Sequence, residues 1–139
     1  MEITANAIQT VASNQNVLFT ETPVDGSCSI LHREGSGLVT LRGITNQCRA
    51  RFKAFFSGNI AIPTGGTVGP ISLAIAINGE AVATTTMIQT PAAVEEYTNV
   101  ASAVYLDVPA GCCLTVSVTN TSDEAINVQN ANLIIERVA

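Results

Sequence analysis

Along this chain apolar and polar positions keep alternating with period two, the pattern of strands that turn one face to a core and the other outward. Cys48, Ala50, Phe52, Ala54 and Phe56 alternate with Arg49, Arg51, Lys53 and Phe55. Ile71, Leu73, Ile75 and Ile77 alternate with Ser72, Ala74 and Ala76. Val100, Ser102, Val104, Leu106 and Val108 alternate with Ala101, Ala103, Tyr105 and Asp107. Cys112, Leu114, Val116 and Val118 alternate with Cys113, Thr115, Ser117 and Thr119. A last run covers about residues 126–138, and shorter strands are expected near residues 3–11, 17–20, 27–32, 38–44 and 81–89. Phe52, Leu73, Ile75, Leu106, Leu114, Val116 and Leu133 are the expected core.

Turn chemistry separates the runs. Asn78-Gly79 between two apolar stretches fits a tight hairpin whose two central residues take positive φ. The segment Pro63-Thr64-Gly65-Gly66-Thr67-Val68-Gly69-Pro70 is a connector, because proline cannot donate to a ladder and glycine weakens it. Pro109-Ala110-Gly111 and Asn120-Thr121-Ser122-Asp123-Glu124 turn the chain again. Val, Ile and Thr make up close to a third of the residues, and their stiff side chains favour pleated sheets over helices. The reading is an all-β protein of about ten strands, a sandwich or barrel, with no helix of useful length. At 139 residues one domain, spanning 1–139, is expected.

Composition narrows the function. Only 12% of residues are charged, about half the usual share, and the net charge is −5. Nucleic-acid binding, which needs clustered Lys and Arg, is therefore not expected. No stretch reaches the roughly 18 apolar residues of a membrane span, and the opening Met1-Glu2-Ile3-Thr4-Ala5-Asn6 lacks the basic and apolar regions of a signal peptide. Synthesis in a cytoplasm is the expectation. A surface so poor in charge suits burial against another copy of the chain, since obligate interfaces resemble a core cut in half. The four cysteines, Cys28, Cys48, Cys112 and Cys113, lack zinc-site spacing and are expected to be unbonded, buried and inert. No cofactor or metal is expected.

Several segments carry a family resemblance. Arg51-Phe52-Lys53-Ala54-Phe55-Phe56, followed by Gly69-Pro70-Ile71-Ser72-Leu73-Ala74-Ile75-Ala76-Ile77-Asn78-Gly79, resembles the middle strands of TNF/C1q-like jelly rolls. Val108-Pro109-Ala110-Gly111-Cys112-Cys113-Leu114-Thr115-Val116 resembles their penultimate strand and the turn before it. The run from Val128 to Arg137 resembles their closing strand. Within the family the chain is similar to the heads of bacterial collagen-like spore-surface proteins and to small virion-associated proteins of phages and prophages of gut Firmicutes. The resemblance implies a two-sheet jelly roll that forms homotrimers. The chain has no Gly-X-Y stalk, which favours a stand-alone, virion-associated trimer.

Chemistry-bearing residues are few. His32 has no neighbouring nucleophile in sequence, and a triad needs an oriented base. Glu95-Glu96 reads as an exposed turn, because adjacent side chains diverge instead of flanking a bond. The segment Gly65-Gly66-Thr67-Val68-Gly69 lacks a phosphate-loop lysine, and Asn120-Thr121-Ser122 is a glycosylation sequon only in form. No catalytic residue is expected. What stands out is a basic row, Arg49, Arg51 and Lys53, which Arg42 joins if its strand is adjacent. The row is either a solvated face with cross-strand pairs or a docking or inter-subunit patch. Three roles follow: a structural virion component such as a capsid decoration, contacting capsid or other virion proteins; a head binding a receptor or glycan; and an enzyme, which is set aside. With no Trp, two Tyr and four Phe, the chain offers few aromatic platforms for sugars, and the structural role is preferred.

Overall fold

In a computed structural model that describes residues 1–43, 48–111 and 113–139, the alternating runs become two antiparallel sheets. The strands are β1 (Glu2–Ala5), β2 (Gln9–Val11), β3 (Glu21–Val24), β4 (Ile30–His32), β5 (Val39–Arg42), β6 (Arg49–Ala61), β7 (Ile71–Ile77), β8 (Glu80–Ala81), β9 (Met87–Gln89), β10 (Thr98–Pro109), β11 (Cys113–Asn120) and β12 (Ile126–Arg137). One sheet runs β10-β6-β12-β1-β3, with β2 beside the start of β12; the other runs β4-β5-β11-β7-β8, with β9 beside β7. The all-β jelly-roll sandwich expected from the sequence is the fold.

Long strands form where the alternation is long. β10 and β6 pair without a break from Thr98↔Ile60 to Pro109↔Arg49. Their inward side chains meet β12 and the opposite sheet, so Phe52, Phe56, Leu73, Ile75, Val116 and Leu133 are fully buried in one continuous core. Phe19 and Phe56 meet edge to face there, centroids 6.4 Å apart, the arrangement aromatic quadrupoles favour. Asn78 and Gly79 take φ of 53° and 83°, as the tight β7–β8 hairpin requires. β12 carries a bulge: Gln129 pairs with Asn59 and Asn132 with Ser57, with Asn130 in the left-handed region at φ 55°. The extra residue bends the strand and keeps Ala131, Leu133 and Ile135 on the inner face.

Four expectations change. Residues 17–20 are no strand, although Val17 and Phe19 are fully buried. Their amides bond three separate partners, Val17 to Val118, Phe19 to Ser36 and Thr20 to Thr4, so burial alternates without a ladder. The stretch 3–11 breaks into β1 and β2, and 81–89 into β8, one 3-10 turn at Ala83–Thr85 and β9, giving twelve strands among the described residues. Leu114 is only half-buried, at the rim of the core. The burial expected of the cysteines is overturned, since Cys28, Cys48 and Cys113 are exposed, while Cys28 and Cys48 are unbonded as expected. Cys28 and Cys48 lie just outside a strand, where the alternation no longer predicts burial, and Cys113 opens β11 at an outward position of its run. Cys112 lies outside the described residues, as does Ile44 at the expected end of β5.

Candidate interaction face

The outer surface of the β10-β6-β12-β1-β3 sheet gathers most of the side chains that the sequence left without a role. Register lines them up in rows. Ala103, Phe55, Ile134, Glu2 and Val24 form one row across all five strands. Tyr105, Lys53 and Glu136 form the next, and Asp107 opposite Arg51 begins a third. Tyr105 is 64% exposed, Val24 55% and Ile134 38%, so the face carries large apolar groups in the open.

The basic row is real, and β6 builds it. Arg49, Arg51 and Lys53 project from one face because they alternate with Ala50, Phe52 and Ala54, which are fully buried. Arg42 does not join them. Its strand, β5, belongs to the opposite sheet, where Val39 and Leu41 point inward and Arg42 points away from the core on the far side. Period two gives the face of a strand but not the sheet it enters.

Much of the positive charge is matched. Arg51 grips Asp107 with two hydrogen bonds, Nε to Oδ1 at 2.8 Å and one terminal amine to Oδ2 at 3.2 Å. Arg49 Nε lies 3.7 Å from the same carboxylate. The hydrogen bond from Arg51 holds the Asp107 carboxyl below the usual carboxylate range, against some desolvation and with help from both arginine charges. The same contact raises Arg51. A shared carboxylate between two guanidinium groups lowers the cost of covering them. Asp107 and Tyr105 are legible in the alternation of β10, yet their pairing with Arg51 and Lys53 needs the β10–β6 register, which local pattern does not encode.

The depressions on this face are shallow. One of about 260 Å³ lies at Arg51, Tyr105 and Asp107, and one of about 310 Å³ at Lys53, Phe55, Ile134 and Glu136. Small-molecule pockets run from roughly 300 to 1,000 Å³ and enclose their ligand. The face instead presents exposed apolar side chains beside the Arg49–Asp107–Arg51 cluster, without an enclosed cavity.

The other residues singled out in the sequence have structural roles. His32 packs edge-on to Phe19, and its Nε2 lies 2.9 Å from the Ser36 carbonyl oxygen. Glu95 is in a left-handed turn at φ 57°, accepting a hydrogen bond from the Thr64 hydroxyl, and Glu96 is exposed beside it. Asn120 is fully buried and bonded to the Val11 and Glu124 carbonyls, so the sequon is closed in the folded chain. Among the described residues no group of three or more His, Cys, Asp or Glu is placed to hold a metal ion.

With both sheets and their strand order established, comparison with solved structures is informative. The globular domain of zebrafish complement 1qA protein overlays 96% of this chain and 93% of its own at a TM-score of 0.59, with 12% identity. The fold is C1q-like. At that identity the likeness extends to the C1q-like architecture and no further. The C-terminal domain of EclA, a sugar-binding protein, overlays 95% of this chain and 80% of its own at a TM-score of 0.43 and 14% identity. A CBM35 domain from Cellvibrio japonicus Abf62 overlays 100% and 98% at 0.40 and 10% identity. No protein-family model and no curated protein matches the sequence.

Proposed function

We propose that this chain is a non-enzymatic building block that works as a homotrimer, its subunits meeting through the outer face of the β10-β6-β12-β1-β3 sheet. The observation that carries the reading is the row Ala103, Phe55, Ile134, Glu2 and Val24, flanked by Tyr105 and by the Arg51–Asp107 pair. Tyr and Arg are the residue types that dominate binding energy when covered, and a monomer gains nothing from showing them in one place. The threefold symmetry rests on the family resemblance. β10 adds to the case: among the described residues its hydrogen-bonded neighbour is β6 alone, which leaves a long strand edge to be covered.

The role that fits such a block is structural, a component of a virion assembled in the host cytoplasm against capsid proteins. A recognition head has less support. The groove at the far end, lined by Thr67, Val68, Gly69, Pro70, Asp123 and Glu124, presents no aromatic ring to stack on a sugar.

Light scattering at micromolar concentration tests the assembly. Three chain masses are expected, falling toward one when Phe55→Glu and Ile134→Glu are combined; one chain mass for the unaltered protein across a hundredfold dilution overturns the proposal. Peptide mass fingerprinting of purified particles from the producing culture tests the virion role, which fails if the chain stays in the soluble fraction.

A further inference from the structure

Three of the cysteines emerge together at one end of the sandwich. Cys28 lies in the turn before β4, Cys48 directly precedes β6, and Cys113 opens β11. All three are exposed, and Cys28 and Cys48 carry free thiols. Backbone hydrogen bonds stitch this end into a platform: Arg42 N to the Ser29 carbonyl at 2.8 Å, Gly111 N to that of Gly43 at 2.9 Å, and Ala110 N to that of Cys48 at 3.1 Å. Gly43 presses against the Pro109 carbonyl, where any Cβ would sit 2.3 Å from the oxygen. The thiols of Cys28 and Cys48 are thus exposed beside a hydrogen-bonded end of the sandwich.

We propose that this end is a covalent cross-linking site, at which Cys28 and Cys48 of neighbouring copies are joined by disulfide exchange. Cys28 precedes a strand of one sheet and Cys48 a strand of the other. Cys48 shares a cleft with Arg49 and Arg51, at the end of the row that forms the proposed subunit interface. This inference thus rests on that reading of the face. Copies held by it raise the local concentration of their thiols.

The oxidant is a low-molecular-weight disulfide. The Cys48 thiolate attacks one of its sulfurs; the reagent S–S bond breaks, one half leaves as a thiol, and the other stays on Cys48 as a mixed disulfide. The thiolate of Cys28 or Cys48 in a second copy then attacks the Cys48 sulfur and expels the remaining half. Two protein thiols are oxidised to one disulfide, and one reagent disulfide is reduced to two thiols.

The test treats the full chain with oxidised glutathione and reads non-reducing denaturing electrophoresis, with light scattering of the reduced protein in parallel. Covalent dimers and trimers that dithiothreitol dissolves, lost in the Cys28→Ser, Cys48→Ser double variant, are expected. Glutathione adducts on single chains without cross-linked bands, or an undiminished ladder in the double variant, overturn the inference. If the reduced protein scatters as three chains while no ladder forms, only the cross-link fails. If it scatters as one chain and no ladder forms, the proposed assembly fails with it.

Discussion

Single residues in this molecule fall into those that fill the core and those that satisfy it. Leu73 is fully buried between the sheets, and Leu73→Ala should cost about 2–5 kcal/mol by urea denaturation, the transfer loss plus the cavity left behind. Leu114→Ala should cost clearly less, because its rim position lets water and neighbours close the gap. Asn120 represents the second kind. Its Nδ2 donates to the Val11 and Glu124 carbonyls at 2.9 and 2.8 Å, and its Oδ1 accepts from the Ser122 amide at 2.9 Å. Asn120→Ala should destabilise by about 1–3 kcal/mol in the same assay, since buried backbone groups lose their partners. The apolar residues could be read from the sequence because burial follows hydrophobicity. Asn120 could not, because a buried asparagine is recognised only by what it bonds, and its partners are scattered along the chain.

Elements add what residues lack, namely register. β7 spans its alternating run, Ile71–Ile77, with Ile71, Leu73 and Ile75 buried and paired in ladders. Ala74 and Ala76 are buried too and Ile77 is half-buried, since the strand lies inside its sheet. The stretch 17–20 shows burial without a ladder, which is why it reads as a strand and folds as a strap. The β10–β6 register also creates a titration. Bonded to Arg51, the Asp107 carboxyl holds its charge to lower pH in the folded chain than in the unfolded one. Its contribution is complete above the ordinary carboxylate range, near pH 4, and is lost as pH falls through the lowered folded value. The thermal midpoint should therefore drop on acidification below about pH 4. Asp107→Asn should flatten that part of the profile, and identical slopes in the two proteins would refute the assignment.

At the scale of the whole molecule the basic row was visible in the sequence as alternation on one strand, but the face it belongs to was not. Arg42 went to the wrong side because strand order decides which sheet a strand enters, and strand order is set by contacts between residues far apart in sequence. If copies associate as proposed, the thermal midpoint should rise with protein concentration, by mass action; a midpoint independent of concentration would count against it. Strand order carries a further consequence. β12, the last strand along the chain, is not at an edge but between β6 and β1, near the middle of its sheet. During synthesis β1 and β3 emerge first and wait for a neighbour that is made last, while β6 keeps an open flank meanwhile. Because β12 pairs with both β6 and β1, neither of those ladders can form before β12 has been made. A nascent chain stalled before Ile126 would hold both flanks open, and it is this species that a cell has most need to shield.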